Sequence, residues 1–145
     1  MTEEPSPQQQ RNLELVRGGL ESWIAGDRET TMATFTDDVE VYVPPELGNA
    51  GSYRGLEQFK RWFTAWEEAW SEFEMTLLSI APEGDRHAVA LIRSRGVGLG
   101  SGIEVQNELG WVIGVRGQKM EFFSLQPDLE QARALARERE SADAD

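Results

Sequence analysis

Four strand-like segments follow one another in the second half of the chain, and this series limits the possible folds more than any other feature. The segments read FEMTLLSIAP, HAVALIRSR, IEVQNELGWVIGV and KMEFFSLQ, with turn-forming residues at 82–85, 96–102 and 116–117 between them. Strands joined by such short turns pair with their neighbours in antiparallel fashion. The series therefore predicts an antiparallel sheet.

Helical patterns precede these strands. Apolar residues recur at helical spacing over 8–25, and Gly26 and Asp27 end this first helix. Asp27 is also placed to cap a second short helix, RETTMATFT, which would turn Phe35 toward the core. VEVYVPPE alternates like a strand and is ended by its proline pair, whereas LGNAGSYRG is typical of a loop.

A third helix carries a stripe of tryptophans. Trp62, Trp66 and Trp70 are four residues apart within the predicted helix 56–72, so they lie on one face with a slow drift around it. Such a stripe either holds a helix to a sheet by core packing or lines a space that the sheet leaves open. A last helix is predicted at DLEQARALARERE.

Helices followed mainly by hairpin-connected strands predict an α+β domain. We expect a cone-shaped, curved antiparallel sheet wrapped around the N-terminal helices, with a cavity inside the cone. At 145 residues the chain fits a single domain. This domain should span 8–137, because 1–7 and 138–145 are polar or charged without an apolar pattern, which is typical of disordered tails.

The composition excludes several classes of partner and site. Asp and Glu number 26 against 14 Lys and Arg, a formal net charge of -12 at pH 7. This charge repels phosphate backbones and anionic membranes, so we expect neither nucleic acid nor a membrane as a partner. The N-terminus MTEEPSPQQQ lacks the basic and apolar regions of a signal peptide, so we expect a cytoplasmic protein. The absence of cysteine excludes disulfides and thiolate metal sites, and we expect neither a metal nor a cofactor.

Several segments, taken in order, resemble a known superfamily. They are SWIAGD, FTDDVEVYVPP, GSYRGLEQFKRWFTAWEEAW, the hairpin RSRGVGLGSG, Trp111 and the turn RGQK, and together they span roughly residues 11–137. This order is similar to that of the nuclear transport factor 2-like superfamily and, within it, of the SnoaL-like polyketide cyclase group. The resemblance implies the cone fold, a homodimer formed through the sheet and a pocket in the cone. It does not imply one reaction, because the scaffold carries isomerases, dehydratases, cyclases, epoxide hydrolases and non-enzymatic binders.

The catalytic groups of the relatives are not matched here. Ketosteroid isomerase uses an Asp base with a Tyr and a protonated Asp as oxyanion donors, but the matching positions are Gly19, Val43 and Leu109. Dehydratase and cyclase relatives use a His as general acid or base, whereas His87 follows EGDR at a hairpin end, where we expect an exposed residue. Limonene-epoxide-hydrolase-like chemistry needs an Asp-Arg-Asp arrangement, and the strands that would face Arg93 offer glutamates but no aspartate.

The resemblance and the strand alternation together select the pocket candidates. Because Leu109 matches the acid position of the isomerase, Asn107, Leu109 and Trp111 should share the face toward the cavity. The family register places Trp62 and Phe63 over the pocket. The remaining candidates for an apolar cavity with few polar groups are Trp66, Phe35 and Phe123.

Arg93 and Arg95 share one face of their strand, but alternation does not decide which, because residues 88–92 are apolar on both faces. Facing inward, the two arginines would form an anion or carbonyl site in an aromatic cage. Facing outward, they would pair with Glu104 and Glu108 on the next strand. The sequence leaves both arrangements open.

We therefore expect a dimeric, cone-shaped protein that binds a small, largely apolar molecule in an aromatic pocket. One alternative is a SnoaL-like enzyme of the cyclase, isomerase or epoxide hydrolase type. In that case Asn107 would orient a carbonyl or a water, and Arg93 or Arg95 would stabilise developing negative charge. A second alternative is a dimeric accessory protein that acts through its surface and fills its cone with side chains.

Overall fold

The computed structural model describes residues 4–47 and 50–143. Within these ranges the order of elements is two helices, two strands, a helix, four strands and a final helix. The helices are α1 (Pro7–Ile24), α2 (Arg28–Ala33), α3 (Leu56–Glu68) and α4 (Leu129–Asp143). The strands are β1 (Phe35–Val43), β2 (Gly51–Arg54), β3 (Trp70–Glu83), β4 (His87–Gly98), β5 (Glu104–Arg116) and β6 (Lys119–Gln126).

The six strands form one sheet in the order β2-β1-β6-β5-β4-β3. Neighbouring strands are antiparallel except β1 and β6, which run parallel. The register shifts between Leu77 and Ser79 in β3 and between Gly114 and Val115 in β5. Such irregularities bend the strand that carries them and increase its twist. The predicted α+β class with a curved, mainly antiparallel sheet is confirmed.

One face of the sheet packs on α1 and α3 and forms the main core. Inner-facing positions alternate along the strands, as in Ala90 and Ile92 of β4 and in Trp111 and Ile113 of β5, all of them buried. The helices contribute the buried side chains Val16, Leu20, Trp23, Phe59, Trp62 and Phe63. This layer closes the narrow part of the cone.

Helix α4 covers the opposite face of the sheet. Ala132 is buried there in a separate apolar cluster with Val89, Val112 and Phe122, whose positions alternate with the inner-facing ones. Gly110 permits the close contact, because a Cβ atom at this position would lie 2.6 Å from the Cβ of Ala132. Strand β4 is therefore apolar on both faces for structural reasons.

Two boundaries near the start of the sheet differ from the sequence-based expectation. Helix α2 ends at Ala33, and Phe35 opens β1, because the chain is drawn into the sheet by the 2.7 Å hydrogen bond from Met120 N to the carbonyl oxygen of Thr34. Residues 51–54 were expected in a loop but form β2 by pairing with β1. Two positions of that expected loop, 48 and 49, lie outside the described residues.

The third helix is shorter than expected, which changes the place of one tryptophan. Helix α3 ends at Glu68 instead of residue 72, and Trp70 is the first residue of β3. The backbone there pairs with the β4–β5 hairpin, since Leu99 N donates to the carbonyl oxygen of Ala69 at 2.9 Å and Trp70 is in register with Gly98. The tryptophan stripe therefore passes from a helix to a strand.

The ends of the domain are held by local contacts. Ser6 caps α1, and its side chain accepts a hydrogen bond from Gln9 N at 3.1 Å. Helix α4 continues past the expected limit at residue 137 to Asp143, so most of the expected C-terminal tail is helical. Expected tail residues 1–3 and 144–145 lie outside the described ranges. No helix within those ranges has the length and apolar character to cross a membrane.

Candidate functional site

A cavity of about 330 Å³ opens where α3 passes into β3, opposite the ends of β4 and β5. Its walls come from three sources: the mainly aromatic residues of the α3–β3 junction, the inner-facing residues of β4 and β5, and single leucines from the loop after β1 and from β6. The lining residues are Leu47, Trp66, Ala69, Trp70, Phe73, Ser94, Gly96, Val105, Asn107, Leu109 and Leu125. We call this space the mouth of the cone.

A second, much smaller cavity of about 10 Å³ adjoins the mouth. The two share Trp66, Ser94, Leu109 and Leu125 as lining residues, so the small cavity continues the mouth toward the core. The side chains that close it are Trp23, Trp62, Trp111 and Phe123. We call this smaller space the floor.

The aromatic side chains around the floor pack tightly against one another. The ring centroid of Phe123 lies 5.1 Å from that of Trp111, 5.3 Å from that of Trp23 and 6.0 Å from that of Trp62. Tilted and edge-to-face contacts at these distances are favourable beyond the area that they bury. The floor is therefore fixed by core packing and admits little more than one atom.

Two polar side chains face the mouth from neighbouring strands. Ser94 of β4 and Asn107 of β5 are cross-strand partners, and both line the cavity. Each alternates with outward-facing neighbours on its strand. Among the described residues that line the mouth and the floor, none is Asp, Glu, His, Lys or Arg. The site can thus donate and accept hydrogen bonds, but its walls carry no charge.

Two indole N–H groups in these walls lack a partner. The Nε1 atoms of Trp23, at the floor, and of Trp70, at the mouth, are buried and make no hydrogen bond to the described residues. A buried donor without a partner is costly and uncommon in folded proteins. Both donors belong to side chains that line one continuous space.

The structure places Arg93 and Arg95 outside the cavity. They alternate with the cavity-lining Ser94, and Arg93 Nη2 lies 3.4 Å from Glu108 Oε1. Arg95 hydrogen-bonds Glu104 on the same outer face. That hydrogen bond raises the pKa of Arg95 and lowers the pKa of Glu104 from their usual values. Of the two arrangements left open by the sequence, this is the outward one.

The other predicted residues divide between cavity wall and core. The mouth is lined by Trp66, Asn107 and Leu109, and the floor by Trp62, Trp66, Leu109, Trp111 and Phe123. Phe35 is absent from both walls and is buried with its ring 4.9 Å from that of Phe59. Phe63 is also absent from both walls, and its buried ring packs 4.4 Å from that of Trp23 and 4.2 Å from the guanidinium carbon of Arg28.

Sequence reasoning missed three groups that define the cavity. Ser94 lies between the two arginines, and strict alternation would have placed it inward once the arginines were placed outward. Trp70 was assigned to a helix, and its place at the mouth depends on the strand that begins there. Trp23 falls within the apolar helical pattern of 8–25, and nothing in its sequence context marks its N–H as unpaired.

The expectation that His87 is exposed is wrong. The side chain is 1% exposed beneath α4, where its Nε2 accepts a hydrogen bond from Arg139 Nε at 3.1 Å. Its Nδ1 lies 3.2 Å from Glu140 Oε1, although the orientation is poor for a hydrogen bond. This burial follows from the C-terminal extension of α4 over the β3–β4 turn. His87 belongs to neither cavity wall, so it is not placed to act on a ligand there.

Other concave surfaces lie away from the cone. A groove of about 550 Å³ runs between α2 and α3 and is bordered by the ion pair of Arg28 with Glu67. A polar cleft of about 520 Å³ lies at the opposite end, around Asn12 and Arg116. Both are more open than the mouth. In the part of the chain that the structure describes, no cluster of three His, Asp or Glu side chains could hold a metal ion.

Comparison with known proteins agrees with this fold. The family model described as "SnoaL-like domain" matches residues 16–121. The sequence matches no curated protein.

Solved structures resemble the chain over most of its length. A nuclear transport factor 2-like protein of unknown function from Burkholderia pseudomallei is 17% identical, with a TM-score of 0.72, and the match covers 87% of this chain and 97% of that one. A protein from Jannaschia sp., provisionally assigned as a SnoaL-like polyketide cyclase, is 20% identical, with a TM-score of 0.74 and coverage of 94% and 98%. TerC, co-crystallised with polyporic acid, is 16% identical, with a TM-score of 0.70 and coverage of 87% and 98%.

Proposed function

The chain belongs to the SnoaL-like domain family, and we propose that within this family it binds a small, neutral, largely apolar molecule in the mouth of its cone. The observation that carries the proposal is the lining of the mouth. It is rich in aromatic and aliphatic side chains, contains two polar residues, Ser94 and Asn107, and has no ionisable group among the described residues. Small-molecule sites in proteins are concave, mostly apolar and equipped with a few placed polar groups.

The volume of the mouth supports a ligand of modest size. At about 330 Å³ it lies at the lower end of the range for ligand pockets, which begins at roughly 300 Å³. The tryptophans of the wall provide flat surfaces against which a planar molecule can stack. The crystallisation of TerC with polyporic acid offers a further parallel, since a protein of the same fold was studied with an organic ligand.

Binding is favoured over catalysis because the described walls contain no titratable group. General acid–base catalysis needs a titratable group within hydrogen-bond reach of the reacting atoms. The described walls offer Ser94 and Asn107 instead, which can orient a ligand but do not titrate near neutral pH. Arg93 and Arg95, which the enzyme alternative would use to stabilise negative charge, are paired with glutamates on the outer face.

The homodimer implied by the family resemblance is part of the same proposal. The outer face of β3, β4 and β5 is exposed beyond the edge of α4 and carries the ion pairs of Arg93 and Arg95. We expect light scattering coupled to size exclusion to give twice the monomer mass. A monomer mass at micromolar concentration would refute this part of the proposal without affecting the cavity.

The test of ligand binding uses the tryptophans as reporters. All five tryptophans of the chain line the mouth or the floor, so the five indole N–H signals of an NMR spectrum report on this space. Native mass spectrometry first shows whether a molecule co-purifies. The protein is then titrated with fluorene, a flat neutral hydrocarbon, and we expect saturable shifts of several indole signals.

A matched pair of variants separates cavity binding from surface binding. Ser94→Phe places a large ring in the mouth, whereas Arg93→Phe places the same ring one residue away on the outer face of β4. We expect Ser94→Phe to abolish the shifts and Arg93→Phe to retain them. Equal responses in the two variants, or no saturable shift with wild-type protein, would contradict the proposal and favour a protein that works through its surface.

A further inference from the structure

We infer that the molecule bound in the cone carries a carbonyl oxygen, which enters the floor and accepts a hydrogen bond from the indole N–H of Trp23. This inference rests on the proposed function of the mouth as a ligand site. It adds the chemical class of the ligand, a neutral planar carbonyl compound, and it assigns the residue that recognises this group.

The first step is the state of the Trp23 side chain. The residue is 2% exposed, and its Nε1 atom makes no hydrogen bond to the described residues. Indole nitrogen only donates hydrogen bonds, and a buried Trp N–H usually has a partner. A ligand acceptor would therefore give this donor a partner that the described residues do not supply.

The second step is the position of this side chain. Trp23 lines the floor, whose volume of about 10 Å³ is close to the minimum that can hold one water-sized group. A ring cannot enter such a space, but a single oxygen atom projecting from a ring in the mouth can. The shared lining residues Ser94 and Leu109 make the floor a direct continuation of the mouth.

The third step is the rigidity of the donor. The Trp23 ring lies 4.4 Å from that of Phe63, 5.2 Å from that of Trp111 and 5.3 Å from that of Phe123, measured between centroids. These contacts surround the indole from α3, β5 and β6. The N–H is therefore held in place before the ligand arrives, and pairing it requires little reorganisation.

The fourth step is the choice among acceptor groups. A carboxylate would need a cationic partner in this dry space, and an ammonium group would need an anionic one, but the described walls contain neither. A hydrocarbon would leave the N–H unpaired. A neutral carbonyl oxygen fits the donor without requiring a counter-charge.

A second unpaired donor predicts a hydrogen-bond acceptor at the other end of the ligand. The Nε1 atom of Trp70 is buried and unpaired, and its side chain lines the mouth together with the cross-strand pair of Ser94 and Asn107. An acceptor at the outer end of the ligand would pair with this group. Donors at both ends and aromatic surfaces between them favour a flat molecule with oxygens on opposite sides.

The experiment compares two ligands of nearly the same shape, fluorene and fluorenone, which differ by one carbonyl oxygen. The indole N–H signals are assigned by single Trp→Phe variants, and both compounds are titrated into the wild-type protein. We expect fluorenone to bind roughly 10-fold more tightly, the difference that one additional buried hydrogen bond contributes. We also expect fluorenone, but not fluorene, to move the Trp23 N–H signal downfield, because hydrogen bonding deshields this proton.

The variant Trp23→Phe supplies the second measurement. It keeps an aromatic ring but removes the N–H, so the preference for fluorenone should fall to about equal affinity while fluorene binding changes little. The spectra of the wild-type protein decide the question even where this buried substitution destabilises the fold. Trp66→Phe is the matched control, since Trp66 lines both spaces but its Nε1 is not among the buried, unpaired donors.

The outcomes separate this inference from the proposed function. If both compounds bind with equal affinity and the Trp23 signal does not move downfield with fluorenone, the carbonyl inference is overturned while ligand binding stands. If neither compound produces a saturable shift, the proposed function fails and the inference fails with it. A fluorenone preference that survives in Trp23→Phe would also overturn the inference.

Discussion

Alanine substitutions of Trp62, Trp66 and Trp70 test whether the tryptophan stripe divides into core and cavity wall. Trp62 is 4% exposed, and its ring packs against those of Phe59 and Phe123, with centroids 6.2 Å and 6.0 Å away. Replacing such a fully buried aromatic residue by alanine costs about 3–5 kcal/mol in the free energy of unfolding. This is a large part of the total stability of a typical domain, which is about 5–15 kcal/mol.

The other two substitutions should cost less. Trp66 is half-buried, and its ring contacts are a near-parallel stack on Trp62 with centroids 6.3 Å apart, a tilted contact with Phe63 at 6.1 Å and an edge contact with Phe73 at 4.4 Å. Half the buried area and three aromatic contacts correspond to about 2–3 kcal/mol. Trp70 is also half-buried, with Phe73 at 5.9 Å, and a similar or smaller loss is expected.

Urea denaturation followed by circular dichroism measures all three losses. We expect the midpoint to fall most for Trp62→Ala, with the slope of the unfolding free energy against urea unchanged for each variant. Among the variants that remain folded, Trp66→Ala should also weaken fluorene binding. Equal losses for Trp62→Ala and Trp66→Ala would refute the division of the stripe, because it would mean that both rings are equally part of the core.

Three further predictions concern other parts of the fold. Gly96→Ala should lower the free energy of unfolding by about 1–3 kcal/mol in urea denaturation, because the new Cβ would lie 2.6 Å from the Trp70 ring and overpack the site. His87→Ala should lower it by about 1–3 kcal/mol and speed amide hydrogen exchange at the end of α4, because Arg139 loses its buried acceptor. Hydrogen bonds from the side chain and backbone of residue 30 lower the pKa of Asp27. The stability that the Asp27 carboxylate contributes is therefore present above its unfolded pKa of about 3.9, and it is lost as the pH falls through the lower pKa of the folded state. Asp27→Ala should accordingly lower the urea midpoint at pH 7 but not at a pH below that folded value.

The inward-facing side of β5 was predictable from the sequence, but the orientation of β4 was not. Alternation along β5 separates Asn107, Leu109 and Trp111 from the glutamates, and the structure confirms that these three line the mouth or the floor. Strand β4 gives no such signal over 88–92, since the core covers one face and α4 covers the other. Because α4 covers the outer face of β4, both faces of this strand are apolar, and the sequence pattern does not show on which face Arg93 lies.

The two clearest errors share a cause in long-range contacts. The spacing of the tryptophans continues a helical pattern through Trp70, but pairing with Gly98 of the β4–β5 hairpin converts this residue into the start of a strand. His87 follows a polar turn, which is typical of an exposed position, but α4 extends over it and buries it with Arg139 and Glu140. In both cases contacts with residues distant in sequence override the local pattern. Propensity and periodicity do not reveal such contacts.

The cavity exists because the inner-facing side chains of β4 become smaller toward the open end of the cone. The series runs from Ile92, which is buried in the core, to Ser94 and then to Gly96 at the mouth. Gly96 leaves room for the ring of Trp70 to lie against the strand, since any side chain there would collide with it.

The opposite wall does not shrink in the same direction, because α3 and the start of β3 present tryptophans along their whole length. The space between the two walls therefore widens from the floor, which holds one atom, to the mouth, which holds a small molecule. Its volume is set by the small residues of β4 more than by the aromatic stripe. For this reason substitutions at Ser94 should change which ligands fit, whereas substitutions at Trp62 should mainly change whether the protein folds.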